Sequence, residues 1–407
     1  MILAKDVMLQ ESFKSNRNVL VLGVPGSGKT RGHVLPNLME MDSSFVILDP
    51  KGELHSAAAE MLEHRGYRVQ CVDFNDPLRS PDFYNPLDHI RSEDDIIRMT
   101  ELLLGDSKQN CKDIFWPTSA QILANALVGY ILSECTGTDR TLDGIAKLLR
   151  ATDADRKGGA TDKLMRELAE RDPHSFAVEQ FRIIMTCGNA DKTLSGIIIS
   201  LAATFTSLLT KGIKQLTSRD TVDFRMLGLE KRALFIKSSD TDRSKDVLVN
   251  ILFQQVIDEL CREADAQPSH SLPVHVHLFL DDFGTNLKLN RFDAAIAGMR
   301  SRELSCSVIL QSEGQLKQMY GEAWSTILAS CGAYVFLGSN DVETCQNVSL
   351  RLDKPLGSVL YKKYEDIFVF EQGRGPKCAK RYDLTEHPLY QKLCDTAPLP
   401  PRLEERS

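Results

Sequence analysis

The feature that most restricts this chain is Gly23-Val24-Pro25-Gly26-Ser27-Gly28-Lys29-Thr30, which fits G-x-x-x-x-G-K-[ST] between an apolar run and a helical pattern. Glycines at 23, 26 and 28 let the backbone curl so that successive N–H groups point inward, and the helix that follows adds the positive end of its dipole. Such a cradle suits phosphate. Lys29 would bridge the β- and γ-phosphates of a nucleotide, Thr30 would offer its hydroxyl to Mg²⁺, and Arg31 closes the binding stretch. A glycine-rich turn matching by accident is the alternative, and the strand before and helix after favour the phosphate loop. Pro36 lacks an N–H, so the helix should bend or end about one turn beyond it.

A loop of this kind needs a parallel sheet, and the first hundred residues alternate short β-branched runs with helical stretches as βαβ units do. Strands are predicted at 18–22, 44–49 and 67–74. Amphipathic patterns then take over, for example at 115–132 and 164–168, with glycines at 158 and 159, before strands resume at 232–237, 274–280, 306–310 and 333–337. A helical stretch covers 244–264 between the first two of these. The expected organisation is an α/β sheet domain of residues 1–91 and 217–395, interrupted by an all-α insertion at 92–216, with a loose tail at 396–407.

With 407 residues, 42% hydrophobic and 26% charged, the chain has the composition of a folded, soluble protein of about two domains. A net charge of −7 excludes a polybasic coat for nucleic acid, so any such surface must be local. The ten cysteines contain no C-x-x-C pair and read as reduced, cytosolic thiols. The only long uncharged stretch, 193–210, is rich in Ser and Thr and reads as a buried helix rather than a membrane span.

The acid that partners a phosphate loop should end another buried strand, and residues 275–282 read His-Val-His-Leu-Phe-Leu-Asp-Asp. Asp281 is the candidate for the Mg²⁺ shell, through a bound water, and Asp282 for the base that orients an attacking water. A plain turn closing the strand is the competing reading. Asp49-Pro50-Lys51-Gly52-Glu53 reads as a turn into a helix, with a nearby phosphate or subunit contact left open. His275 and His277 share one strand face without a third ligand at metal spacing, and are expected to pack beside the strand. Gln311 follows the strand at 306–310, where an amide can contact both γ-phosphate and attacking water. Arg300, with Arg302 close by, could reach a neighbour's nucleotide or merely end a solvated helix.

Together these residues resemble the TraG/VirD4 family of type IV secretion coupling proteins, ATPases that hand DNA and proteins to a conjugation channel. The resemblance is carried by GVPGSGKTRGHVLPNL at 23–38, LDPKGEL at 48–54, YNPL at 84–87, FW at 115–116, LFLDDFGTN at 278–286, the QSEGQL stretch at 311–316 with Tyr320-Gly321, and LGSND at 337–341. It implies a RecA-like P-loop NTPase fold with an all-α insertion, assembled as a homo-hexamer with ATP and Mg²⁺ between subunits. Lys29 and Thr30 become the Walker A pair, Asp281 the Walker B acid, Gln311 the sensor and Arg300 the trans-acting arginine. Two departures stand out. Asp281-Asp282 replaces the usual Asp-Glu, shortening the presumed catalytic arm by one methylene, and the family's N-terminal transmembrane helices are not in this sequence.

The resemblance implies ATP-driven transfer of single-stranded DNA, with its relaxase, toward type IV secretion channel proteins at the cytoplasmic face of the cell membrane, with membrane attachment through a segment outside these residues. The insertion would face the cytoplasm and receive substrates. A protein-effector coupling ATPase that touches no DNA shares every nucleotide residue. A small-molecule phosphotransferase and a non-hydrolysing nucleotide-binding scaffold also compete, the scaffold because of Asp282.

Overall fold

The computed structural model describes residues 1–9, 16–109, 114–152, 159–187, 191–286 and 288–390. The chain divides into two compact units. One comprises residues 1–71, 223–243 and 256–407, the other 72–222 and 244–255. The sequence places the helical insertion at 92–216; the anticipated tail at 396–407, and Lys157 and Gly158 of the Gly-rich linker expected at 157–159, lie outside the described residues.

The first unit opens with a two-stranded antiparallel ribbon, β1 (Ile2–Ala4) and β2 (Val7–Met8), where the sequence pattern shows no element. Its main sheet contains β3 (Val19–Gly23), β4 (Ser44–Leu48), β5 (Arg68–Asp73), β6 (Arg232–Lys237), β7 (Val276–Leu280), β8 (Leu304–Leu310), β9 (Ala333–Gly338), β10 (Asp366–Glu371) and β11 (Lys377–Lys380), in the order β11-β10-β9-β3-β8-β7-β4-β6-β5. The pairs from β9 through β3, β8, β7 and β4 to β6 are parallel. Hairpin β10–β11 adds to β9 in antiparallel fashion, an extension that the sequence pattern does not anticipate.

Strands β3, β4, β7 and β8 are buried at every position, which is why they read as continuous apolar runs rather than alternating ones. On one face Val19, Val21, Phe45, Ile47, Phe279 and Ile309 pack against Leu35, Leu38, Leu54, Met61 and Leu62 from the helices Leu35–Glu40 and Glu53–His64. Register aligns Leu22 with Leu310, Leu280 with Val308, and Leu48 with Leu280, so β3, β4, β7 and β8 end on one edge. Their next residues therefore meet there.

The predicted histidine pair sits within this core. His275 holds Glu303 Oε2 through Nδ1 at 2.8 Å and Ser305 Oγ through Nε2 at 2.7 Å. His277 spans Ser305 Oγ and Ser307 Oγ at 2.6 and 2.9 Å, and Ser307 Oγ reaches His33 Nε2 at 2.9 Å. Burial lowers the pKa of His277 well below the ordinary range and that of His33 to about 4, so both rings are neutral near pH 7. The expectation of packing beside the strand is met by a ladder of histidines and serines across β7 and β8.

Asn18, just before β3, ties the far edge of this unit together. Its Nδ2 donates to the carbonyls of Ile296 (3.2 Å) and Ser330 (3.1 Å), and its Oδ1 accepts from Cys306 N at 3.0 Å. Asn18→Ala leaves the buried Ile296 carbonyl and Cys306 N–H without that partner, while Ser330 O keeps Asn16 Nδ2, so urea denaturation should show a loss of about 2–3 kcal/mol. A loss under about 0.5 kcal/mol would mean that water substitutes for the amide.

The second unit centres on the helix Phe115–Glu134, packed by the helices Glu93–Gln109, Phe176–Cys187 and Asp191–Leu208. The amphipathic pattern expected at 115–132 is corrected here: the helix is buried round most of its circumference and has no one-sided apolar stripe, because it lies at the centre of its unit. In the helix Asp191–Leu208, which holds most of the uncharged stretch 193–210, Leu194, Ile197, Leu201 and Phe205 form the buried stripe while Ile199 is exposed. Among the described residues no helix is long and apolar enough to cross a membrane. Tyr84 of YNPL is fully buried with its hydroxyl 2.5 Å from Gln255 Oε1, and Asn85 caps the turn Pro86–His89 by accepting from Leu87 N.

Candidate functional site

The loop after β3 is shaped by its own sequence. Gly28 has φ +80°, a conformation that L side chains rarely adopt, and a Cβ on Gly23 would stand 2.2 Å from Ser27 Oγ. Ser27 N donates to Val24 O at 3.0 Å, and Val24 N donates to Gly338 O at 3.2 Å, pinning the loop to the end of β9. Lys29 folds back so that its ammonium donates to Gly23 O at 2.8 Å.

Beyond Thr30 the first turn, Thr30–Val34, is widened, with Leu35 N–H reaching back to Thr30 O. This π-type turn accommodates Pro36, whose ring would otherwise meet the carbonyl of Gly32. Asn37 Nδ2 takes the His33 carbonyl at 2.7 Å, and the helix Leu35–Glu40 ends at Met41 with φ 53°, about one turn past the proline as the sequence suggested.

Four strand ends bring the chemistry together. From β7, Asp281 is 8% exposed, its Oδ2 lies 3.5 Å from Thr30 Oγ1, and its Oδ1 accepts Asp282 N at 3.0 Å. Asp282 adopts φ 48° and places a carboxylate oxygen 4.0 Å from Lys29 Nζ. Burial, reinforced by the charge of Asp282, raises the Asp281 pKa to about 6, against the pull of Lys29. From β4, Asp49 is buried and caps the helix Glu53–His64 by accepting Leu54 N at 3.2 Å and His55 N at 2.8 Å. The favoured turn reading describes it, yet its charge is also felt at Asp281.

From β8, Gln311 has its backbone fixed on both sides, its N–H donated to Gln315 Oε1 (2.8 Å) and its carbonyl accepting from Ser339 Oγ (3.1 Å). Buried Glu313 accepts from Tyr334 Oη and Asn347 Nδ2, tying the QSEGQL stretch to β9 and to the helix Val342–Leu352. Sequence reasoning gave Glu313 no role; an acid at the first position of a helix has no signal of being a strut.

Arg300 is not in this cluster. It follows the helix Phe292–Met299 and precedes β8, so it lies at the edge of the sheet opposite Gln311. Among the described residues its exposed side chain makes no ion pair, whereas Arg302 is fixed to Asp265 at 2.8 and 3.0 Å. Of the two arginines named from sequence, Arg300 keeps its guanidinium outward.

Missed by sequence reasoning are the groups that hairpin β10–β11 presents to the loop. Tyr364 Oη donates to Gly26 O at 3.3 Å, the Arg381 guanidinium lies 3.7 Å above the Tyr364 ring, and Lys362 donates to Asp366 O at 2.7 Å.

A parallel sheet with a glycine loop after one central strand and a buried acid after another defines a RecA-like P-loop NTPase. The chain belongs to the family described as Type IV secretory system Conjugative DNA transfer, whose sequence model matches residues 4–355. Among its relatives, conjugal transfer protein TraG of Rhizobium radiobacter is 24% identical over 352 residues, covering 84% of this chain and 52% of TraG. Protein VirD4 of Agrobacterium fabrum is 26% identical over 373 residues, covering 84% of this chain and 50% of VirD4. The chain thus spans about half the length of these curated relatives. Similar solved structures include the bacterial conjugative coupling protein TrwBdeltaN70 with sulphate (TM-score 0.67, 17% identity, 90% of this chain and 86% of that one). TrwB in complex with ADP and Mg²⁺ gives a TM-score of 0.66 at 18% identity, over 91% and 86% of the two chains.

Proposed function

We propose that this chain is the ATP-hydrolysing part of a type IV secretion coupling protein that recruits single-stranded DNA with its relaxase and moves it toward the secretion channel. The observation that carries this reading is the convergence of Lys29, Thr30, Asp281 and Asp282 at one sheet edge, in a chain of the conjugative DNA transfer family. The residues fit MgATP. Residues 23–31 would wrap the phosphates, with Lys29 supplying charge, while Thr30 and Asp281 form a hard-oxygen pair suited to Mg²⁺, directly and through water. The ion would neutralise charge that develops on the phosphates. Asp282 would orient the attacking water, Gln311 would sense the γ-phosphate, and Arg300 would serve a neighbouring subunit of a homo-hexameric ring. Attachment to the inner face of the membrane would come through residues beyond this sequence, as the resemblance implies. TrwB, of the same fold, is known with ADP and Mg²⁺, with ADPNP and with GDPNP, which supports a purine nucleotide in the loop.

The test is ATP turnover with and without single-stranded DNA, beside Lys29→Ala. Wild-type turnover should rise with DNA, and Lys29→Ala should lower it by about 100-fold or more. Turnover no higher than that of Lys29→Ala would refute hydrolysis and leave a nucleotide-binding scaffold. Turnover indifferent to DNA would favour a protein substrate.

A further inference from the structure

The side chain of Arg381 is spent in a place where a cation is costly. It follows β11, its backbone N–H donates to Glu365 O at 2.7 Å, and its Nη2 donates to Tyr364 O at 2.6 Å. The rest of the fork is turned to the phosphate loop: Nη1 stands 2.7 Å from where a Cβ on Gly28 would be, and Cγ 3.2 Å from the same point on Gly32. Nε and Nη1 are both buried without a hydrogen-bond partner among the described residues, where Arg381 also makes no ion pair. Ser27 Oγ, on the same loop and 5% exposed as a residue, is likewise buried and unpartnered.

A half-buried guanidinium whose Nε and Nη1 are buried and unmet is unfavourable unless an anion completes it. Among the described residues none forms an ion pair with it, and the exposed Glu365 carboxylate acts on it only through space. Lys362 is near enough for the charge of Arg381 to add to burial in lowering the lysine to about 8, and Lys29 lies in the same loop. Three cations around one loop, in a chain of net charge −7, mark a local anion site. The planar fork is also preset, because the Tyr364 ring supports one face and Tyr364 Oη is itself tied to Gly26 O.

We propose that Arg381 binds the phosphate chain of the nucleotide held in the loop of its own subunit, with Tyr364 as the platform that positions it. The proposal rests on the nucleotide-binding reading above. It gives hairpin β10–β11 a task in ground-state binding, shared by ATP and ADP, whereas Arg300 is assigned to hydrolysis in a neighbour.

The experiment is titration with fluorescent N-methylanthraniloyl ADP and its displacement by pyrophosphate, for wild type, Lys29→Ala, Arg381→Lys and Arg381→Met. Arg381→Met should weaken ADP binding and pyrophosphate displacement by about 10–100-fold, the range expected for charge-assisted hydrogen bonds. Arg381→Lys, which keeps charge and stem but not the fork, should fall between. The melting temperature of nucleotide-free Arg381→Met should equal or exceed that of wild type, because an uncompensated buried cation is removed. Normal ADP affinity in Arg381→Met, with Lys29→Ala defective, overturns the proposal and leaves the nucleotide reading intact. Weakened ADP binding with unchanged pyrophosphate displacement overturns it in favour of base or ribose contact. A lower melting temperature with unchanged affinity makes the residue structural. Absence of ADP binding by wild type refutes the nucleotide reading itself.

Discussion

Asp281→Asn is expected to melt higher than the parent chain while losing about 100-fold or more of its Mg²⁺-dependent ATP turnover. The two effects have one cause. The carboxyl is buried beside Asp282, and folding moves its pKa from an ordinary 3.8 to about 6. Between those values the folded chain binds more protons than the unfolded one, so stability falls as pH rises from about 4 to about 6 and the deficit is complete above that. A difference of this size corresponds to ~3 kcal/mol favouring the neutral form, an upper bound on what the isosteric amide recovers. The amide oxygen can still accept from Asp282 N or Thr30 Oγ1, so little bonding is lost. What disappears is the charge that a divalent ion needs. Wild-type nucleotide binding should therefore lose its Mg²⁺ dependence as pH drops through about 6, and Asp281→Asn should show no such transition. Calorimetric melting at pH 7.5 and Mg²⁺ titrations across that range check both halves. A variant that melts lower and turns over normally would remove Asp281 from the metal site.

Arg300→Ala should lower turnover by about 1000-fold, within the range for transition-state arginines, yet leave the ADP affinity of an isolated subunit unchanged. The reason is distance. Arg300 enters β8 and Gln311 leaves it, and a seven-residue strand spans roughly 20 Å, so Arg300 cannot serve the loop of its own chain. Mixing Arg300→Ala with Lys29→Ala subunits should consequently restore part of the activity, because some interfaces would pair an intact loop with an intact arginine. Mixtures no more active than the separate variants, or an Arg300→Ala chain with weakened ADP binding, would sink the trans assignment. Arg302, already held by Asp265, should tolerate the same substitution with little effect on turnover.

The chemistry at the strand ends was legible because it is local: a loop motif, a strand ending in two acids, and a glutamine after the next strand each carry their signal in a few consecutive residues. The buried strands were equally plain as apolar runs. The hairpin was less so. Residues 366–371 contain an apolar run and the turn after it holds Gly373, Gly375 and Pro376, but Lys377-Cys378-Ala379-Lys380 offers no strand pattern, since its partner β10 and not its own composition makes it one. Arg381 was beyond reach for the same reason. Nothing within ten residues of it points to Gly28, 353 positions away, and only strand order brings the sheet's last strand and first loop together. Glu313 and the serines at 305 and 307 likewise look like ordinary polar residues until their neighbours are known.

Those serines give the histidine ladder a direction. Each hydroxyl has one proton and the neutral rings of His277 and His33 have one N–H each, so the set can be satisfied in only one sense when His275 carries a single N–H and gives it to Glu303. His275 then donates from Nδ1 to the carboxylate, Ser305 donates to His275 Nε2, His277 donates from Nδ1 to Ser305, Ser307 donates to His277 Nε2, and His33 donates from Nε2 to Ser307. His33 Nδ1 is left as a bare lone pair, consistent with its lack of a partner. The tautomer of a ring on the first turn beyond the phosphate loop is thus dictated by a half-exposed carboxylate at the far end of the sheet.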